Sequence, residues 1–127
     1  MSEFVDNRGK LLVGEYPDQL SFTPVRFFVI SDVPEGEFRG QHAHKSNQQV
    51  LICLSGSLTV RLHDGKKWEE HGLRPNGEAL LVPALHFGEL SNFASETMLL
   101  VLASEAYDTH EYINDFDKFL KACEGCG

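Results

Sequence analysis

The chain has 127 residues, a formal net charge of −8 at pH 7 and an apolar share of 42%, so its length suits one domain, residues 1–127, around a hydrophobic core. Because acidic and basic residues are interspersed and the balance is acidic, we expect no nucleic-acid partner and no anionic-membrane surface. No apolar run approaches the roughly 18 residues of a membrane span and no signal region is evident, so we expect a cytoplasmic protein.

Short segments of strand character, each bounded by turn residues, dominate the chain. In chain order they are Val25–Ile30, Gln49–Leu54, Leu58–His63, Ala79–Pro83, His86–Leu90 and Met98–Ser104. Asp64-Gly65, directly after the third segment, is a strong hairpin signal. Strands repeated at this spacing predict an all-β barrel or sandwich.

The C-terminal stretch alone has helical periodicity. Its apolar residues recur on one face of a 3.6-residue period, at Tyr112, Ile113, Phe116, Phe119 and Leu120. Asp108 and Glu111 have the spacing of a capping box. We therefore expect one helix from about Asp108, with its aromatic face packed on the sheet or on a partner subunit.

The three cysteines do not indicate a disulfide framework or a zinc site. Cys53 lies within an apolar segment, where it is expected to pack as a small hydrophobic residue. Cys123 and Cys126 have C-x-x-C spacing but no second pair, as a four-ligand zinc site would require. We expect them in a flexible tail over residues 122–127.

Two histidines, His42 and His44, lie one residue apart in the stretch RGQHAHK. Because alternate residues of a strand share a face, both side chains project the same way. An imidazole with its ordinary pKa of about 6.5 suits acid–base work or ligand binding near neutral pH. Two structural histidines are the alternative, which the flanking Arg39 and Lys45 disfavour. The pair is thus the candidate site.

The all-β pattern and its glycine and histidine spacing resemble the two cupin motifs. The first is represented by Gly36-x5-His42-x-His44 with Gly56 beyond it, and the second by GEALLVPALHFGE, residues 77–89. A cupin barrel is the fold that this resemblance implies.

The same motifs lack two of their usual metal ligands. Gln49 stands where the first motif has its glutamate, and Gly88 stands where the second has its histidine. Divalent metals at such sites need three or four protein ligands, usually histidine and carboxylate. His86 shares the strand parity of position 88 and is the one candidate substitute. We expect neither a metal nor another cofactor.

Longer stretches of the chain resemble one particular family. They are R-G-x-H-A-H-K, then Q-x-L-x-C-L-x-G-S, then L-A-S-x-x-Y-D-x-x-x-Y-I-x-D, within matching text that runs from Asp6 to Phe119. The chain is similar to the dTDP-4-keto-6-deoxyglucose 3,4-ketoisomerases of bacterial deoxysugar pathways, also called FdtA-like or WxcM-like sugar isomerases.

This resemblance implies a cupin barrel of the RmlC-like jelly-roll type with a C-terminal helix, and a strand-exchanged homodimer. It implies metal-free isomerisation of a dTDP-linked 4-keto-6-deoxy sugar to its 3-keto isomer through an enediol. In it, His42 and His44 are the acid–base pair, and Arg26 and Arg39 bind the nucleotide sugar. Two alternatives stay open: a non-catalytic nucleotide-sugar-binding cupin and a metal-dependent small cupin enzyme.

Overall fold

The computed structural model describes residues 1–75 and 78–125. The described residues form eleven strands, in chain order β1 Ser2–Asp6, β2 Gly9–Val13, β3 Arg26–Ser31, β4 Arg39–His44, β5 Gln49–Ser55, β6 Leu58–His63, β7 Trp68–Leu73, β8 Ala79–Val82, β9 Phe87–Ser91, β10 Met98–Ala103 and β11 Tyr112–Ile113. A 3₁₀ turn, Thr109–Glu111, precedes β11, and one α-helix, α1 Phe116–Gly125, follows it.

The strands form two antiparallel sheets and a separate hairpin. One sheet has the order β3-β10-β5-β8, the other has the order β11-β4-β9-β6-β7, and β1 pairs with β2. Alternate residues of β6, Leu58, Val60 and Leu62, are buried against Leu51 and Val101 of the opposite sheet. The two inner faces therefore enclose the core, which confirms the predicted all-β barrel with a C-terminal helix.

All six predicted strand segments are strands, with bounds that differ by one residue at most, and β6 matches its prediction residue for residue. The hairpin predicted at Asp64-Gly65 is confirmed, because β6 and β7 pair up to His63↔Trp68. Gly65 has a φ of +102°, a conformation that glycine adopts without a steric penalty. Cys53 is buried, as predicted.

The predicted helix begins too early in the chain. Tyr112 and Ile113 are in β11, which pairs with the edge of β4 in the register Tyr112↔His44 and Ile113↔Ala43. The helix starts only at Phe116, after Asp115, whose carboxylate accepts a hydrogen bond from the Lys118 backbone N–H at 3.1 Å. Hydrogen bonding to an otherwise unpaired strand edge overrides the helical periodicity of this stretch.

The aromatic face of α1 packs on the five-stranded sheet, as predicted. Phe119 is fully buried, and the Phe116 ring stacks on Trp68 with the ring centroids 5.6 Å apart. The same contacts correct the expected flexible tail: helix α1 continues to Gly125, and Cys123 packs against this aromatic cluster. Cys126 and Gly127 lie outside the described residues. Over residues 1–75 and 78–125, no helix is long and apolar enough to cross a membrane.

Two apolar surfaces remain exposed. The β1–β2 hairpin joins neither large sheet and exposes Phe4 and Leu11. The β3 face, defined by Val25, Phe27 and Val29 on the outer side of an edge strand, has Phe27 at 69% exposure. Soluble monomers rarely expose contiguous apolar area of this kind, which is typical of interaction surfaces.

Candidate active site

A cavity of about 300 Å³ lies between the two sheets. Its polar lining comes from both sheets, and its remaining wall is mostly apolar side chains from the barrel core. All four site residues that the sequence predicts line this one cavity: Arg26, Arg39, His42 and His44. Gln49, His86 and Tyr112 line it as well.

The histidine pair projects from β4 into the cavity, as the strand parity predicts. The two imidazole centroids lie 4.9 Å apart, with the rings nearly perpendicular at 88°. Tyr112 packs against both rings, 4.9 Å from His42 and 4.4 Å from His44 between centroids. His44 is 4% exposed and lines the cavity.

His44 is paired with a carboxylate behind it. Its Nδ1 lies 2.6 Å from Oε2 of Glu111, and the two side chains are 5% and 10% exposed. A carboxylate can only accept, so Nδ1 carries the proton and donates it. The other ring nitrogen, Nε2, is buried without a hydrogen-bond partner among the described residues.

Both carboxylate oxygens of Glu111 accept hydrogen bonds. Its Oε1 accepts the backbone N–H groups of Ser46 at 2.7 Å and Asn47 at 2.6 Å. Burial acts to raise the pKa of Glu111, but the hydrogen bonds from Asn47, Ser46 and His44 outweigh it and lower that pKa. Glu111 is therefore an ionised carboxylate fixed beside the catalytic candidate.

Sequence patterns do not predict Glu111 or Tyr112 as site residues. The spacing of Glu111 indicates half of a helix capping box, yet its side chain contacts that of His44, 67 residues earlier in the chain. Asp108 alone caps the 3₁₀ turn, by accepting from the His110 backbone N–H. No local pattern marks such a long-range pair, since only the β4–β11 pairing brings it together.

His42 is electrostatically different from its neighbour. Burial, followed by the charge of His44, lowers the pKa of His42 to about 4, although Glu111 acts in the opposite direction. The His42 imidazole is thus neutral at neutral pH and able to accept a proton.

Two arginines give the cavity positive charge. The Arg26 guanidinium lies over the rings of Phe28, at 5.4 Å, and Tyr107, at 5.6 Å. These aromatic contacts leave its Nε buried without a hydrogen-bond partner among the described residues. Arg39 opens β4 and is exposed. Guanidinium groups bind phosphate oxygens in a bidentate manner, so an anionic ligand suits this region.

The described residues around the cavity do not form a set of metal ligands. Position 88 faces His42 across the β4–β9 pairing and has no side chain to offer. His86 lines the cavity, but its Nδ1 lies 3.2 Å from the Ala84 carbonyl oxygen. Within residues 1–75 and 78–125, no group of three His, Cys, Asp or Glu side chains is arranged to hold a metal ion.

Comparison with known proteins agrees with this geometry. The FdtA family model, described as WxcM-like, C-terminal, matches residues 1–124. The chain is 38% identical over 119 residues to the TDP-4-oxo-6-deoxy-alpha-D-glucose-3,4-oxoisomerase of Aneurinibacillus thermoaerophilus, covering 94% of this chain and 86% of the relative.

Solved structures give the same result. A 3,4-ketoisomerase from Helicobacter canadensis is 36% identical with a TM-score of 0.93, over 97% of this chain and 92% of that one. A mutant of the 3,4-ketoisomerase QdtA from Thermoanaerobacterium thermosaccharolyticum, in complex with TDP-4-keto-6-deoxyglucose, is 31% identical with a TM-score of 0.93. The match covers 98% of this chain and 90% of that one. These matches confirm the predicted cupin barrel, and with the family match they show that the chain belongs to the FdtA family.

Proposed function

We propose that the protein is a sugar-nucleotide 3,4-ketoisomerase, which converts TDP-4-keto-6-deoxyglucose to its 3-keto isomer. The observation that carries this proposal is the pair of same-face histidines, one of them neutral, in a cavity that two arginines make positive. The Aneurinibacillus relative is named for a sugar of this class, and the QdtA mutant is in complex with one. The activity makes the protein an intramolecular oxidoreductase.

The reaction needs two proton transfers and no net oxidant. A base removes the proton from C3, the electron pair moves toward the C4 oxygen, and that oxygen takes up a proton to give an enediol between C3 and C4. The C3 hydroxyl then loses its proton and becomes the new ketone, as a proton is added to C4. The net change moves one proton from C3 to C4 and one from the C3 hydroxyl to the C4 oxygen. An imidazole that is neutral at the working pH suits the base role, and a hydrogen-bond donor must stabilise the developing enolate oxygen. We assign these roles to His42 and His44.

The arginines are assigned to the nucleotide end of the substrate. A nucleotide sugar carries a diphosphate with two negative charges, which a guanidinium pairs through two parallel hydrogen bonds. Arg26 lines the cavity with its Nε unpartnered, and Arg39 lies at the exposed start of the histidine strand. This placement supports a binding mode in which the arginines hold the diphosphate and the sugar extends toward the two histidines.

We also propose that the chain, a single cupin domain, assembles as a homodimer by exchanging its N-terminal segment. The β1–β2 hairpin joins neither sheet, and the β3 face exposes apolar side chains on an edge strand. An uncovered sheet edge is a site for pairing with another chain. A second copy of the chain would cover both surfaces.

Incubation with TDP-4-keto-6-deoxyglucose, followed by NMR, tests the proposed activity. We expect signals of the 3-keto isomer to appear at the same rate with and without prior dialysis against a strong chelator. Saturable binding of the substrate without any new signal would support the non-catalytic cupin instead. Turnover that disappears on chelation and returns with an added metal ion would support the metal-dependent alternative.

Substitution of the histidines tests the assigned site. In the variants His42→Asn and His44→Asn, the new side chain keeps polarity but cannot accept a proton near neutral pH. At least one variant should lose about 10²-fold or more in kcat, the range of general acid–base catalysis, while TDP binding survives. His110→Asn, at an exposed position, is the matched control. Full activity in both single variants and in the double variant would refute the assignment.

A further inference from the structure

We infer that the Tyr112 hydroxyl is a catalytic group, which carries the oxygen-bound proton of the sugar from the C3 hydroxyl to the C4 oxygen. The inference rests on the proposed isomerisation and concerns the second of its two net proton movements. The histidines serve the first, at carbon, and stabilise the enolate oxygen. The proton that passes between the two oxygens needs a further group.

Tyr112 is held against the histidine strand by its backbone. It pairs with His44 in the β4–β11 register, and its own N–H donates to the Thr109 carbonyl oxygen. Its ring packs on both imidazoles, with centroid distances of 4.9 Å to His42 and 4.4 Å to His44. A sugar placed for proton transfer at these imidazoles therefore lies beside Tyr112 as well.

The Tyr112 hydroxyl is available to a ligand. Tyr112 is half-buried and lines the cavity, and its hydroxyl forms no hydrogen bond with any residue that the structure describes. Across residues 1–75 and 78–125, it is also the one hydroxyl-bearing side chain in the cavity lining. A phenol both donates and accepts, so both of these functions are left for the substrate.

The other polar groups of the lining, outside the histidine pair, do not suit this transfer. The two arginines have donors and no acceptor, so they cannot take up a proton. Gln49 has an amide, which hydrogen-bonds but is not titratable. His86 has its Nδ1 at 3.2 Å from the Ala84 carbonyl oxygen, which can only accept. Its neutral ring then leaves Nε2 as an acceptor with no proton to give.

The step requires one group that gives a proton and takes one back. Once the C3–H bond has broken and the electron pair has moved to the C4 oxygen, that oxygen takes the proton of the Tyr112 hydroxyl. The C3 hydroxyl then gives its proton to the tyrosyl oxygen, as the C3 ketone forms and C4 is protonated. The phenol is restored and no oxidant is consumed. Because the two sugar oxygens are on neighbouring carbons, one hydroxyl can lie within hydrogen-bond reach of both.

The contact with the sugar can be tested without turnover. With ¹³C at Cζ of tyrosine, each of the three tyrosines gives one NMR signal, and that of Tyr112 is assigned by its loss in Tyr112→Phe. We expect TDP-4-keto-6-deoxyglucose to shift the Tyr112 signal, and TDP, which lacks the sugar, to leave it in place. The exposed Tyr16 is the internal control and should respond to neither. A Tyr112 signal that stays in place when the nucleotide sugar binds, or that shifts equally with TDP, would overturn the inference.

The variant Tyr112→Phe removes the hydroxyl and keeps the ring that packs on the histidines. We expect a kcat lower by about 10²-fold, with KM and the melting temperature little changed. Tyr16→Phe removes a hydroxyl outside the cavity lining and should keep the wild-type kcat. A wild-type protein that forms no 3-keto isomer would refute the proposed function, whereas a fully active Tyr112→Phe beside an active wild type would refute this inference alone.

Deuterium at C3 of the substrate separates catalysis from simple support of the histidine rings. In single turnovers, the deuterated sugar reacts more slowly to the extent that breaking the C3–H bond limits the rate. Loss of a hydroxyl that acts on the oxygens slows a later step, so the isotope effect should be smaller in Tyr112→Phe than in the wild type. Loss of a supporting contact would instead misplace the base and slow the C3–H step. An equal or larger isotope effect in the variant would therefore exclude the proton-carrying role.

Discussion

At the scale of single residues, burial gives two neighbouring histidines different chemistry. His42 and His44 have the same side chain and share one cavity, but only His44 has a carboxylate partner. Environments that separate two like groups in this way are how an enzyme obtains an acid and a base at one pH. The difference predicts a specific pH dependence.

We expect kcat/KM to hold from pH 7 down to about 5 and to fall as the pH decreases through about 4. The base form of His42 is the neutral one, and because its pKa is lowered to about 4 it stays neutral above that pH. Initial rates across this range, with circular dichroism at each pH to confirm folding, provide the measurement. If kcat/KM fell to half near pH 6.5, the ordinary pKa of histidine, the prediction would be contradicted.

The arginine assignments predict a change in binding rather than in chemistry. Arg26→Gln and Arg39→Gln should each raise KM by roughly 10- to 150-fold, the equivalent of one charge-assisted hydrogen bond, with smaller effects on kcat. Steady-state kinetics with the nucleotide sugar would show this. Arg74→Gln changes an exposed arginine outside the cavity lining and should leave KM unaltered. An unchanged KM in both cavity variants would remove the arginines from the site.

At the scale of elements, the pairing of β4 with β11 joins the site to the C-terminal segment. Only two residue pairs make this contact, yet they bring both Tyr112 and Glu111 to the histidine strand. Helix α1 follows directly and covers the same sheet with Phe116 and Phe119. Packing of the helix thus stabilises the position of the strand that carries both histidines.

The same pairing explains which features the sequence could predict. The bounds of β6 are predictable because its apolar and polar residues alternate from Leu58 to His63. Strand β7 reads WEEHGL, with too few apolar residues to give that signal, and it was missed. Tyr112 and Ile113 fit a helical period as well as a strand, so local pattern alone assigns them wrongly. Strand parity predicts that His42 and His44 share a face, and the family resemblance supplies Arg26 and Arg39, whereas Glu111 depends on a tertiary contact.

The turn between β5 and β6 gives a stability prediction. Gly56 has a φ of +74°, and an added Cβ would lie 2.6 Å from the Thr97 Cα. Gly56→Ala should lower the free energy of unfolding by more than the roughly 1–2 kcal/mol that a left-handed conformation costs, because backbone atoms must also move. Thermal unfolding monitored by circular dichroism measures this.

Gly72→Ala is the control for that experiment. Gly72 lies in β7, has no positive φ, and an added Cβ there would meet nothing within 4 Å. It should be neutral or stabilising by up to about 1 kcal/mol, since alanine restricts the unfolded chain. Equal melting temperatures for the two variants would show that the tight turn is not as constrained as its geometry indicates.

At the scale of the whole molecule, the exposed apolar surfaces predict self-association. We expect the wild-type protein to sediment as a dimer at micromolar concentration. Phe27→Asp places a charge on the β3 face, where Phe27 is 69% exposed, and should shift the equilibrium toward monomer, because burying an unpaired charge is costly.

Phe38→Asp is the matched control, since Phe38 is 51% exposed but lies in the loop before β4 and is not part of the β3 face. It should leave the sedimentation coefficient unchanged. A monomeric wild-type protein, or a dimer that Phe27→Asp leaves intact, would exclude the β3 face as the interface.

Position 88 has a consequence for how this cavity can diverge in evolution. A Cβ there would meet Leu62 Cδ2 at 3.5 Å, an ordinary van der Waals distance, and the backbone lies outside the left-handed region. A lineage can therefore add a side chain opposite His42 in one substitution without rebuilding the barrel. Any such group occupies space inside a cavity of about 300 Å³. New chemistry at this position would thus be gained at the expense of the largest sugar that the enzyme can accept.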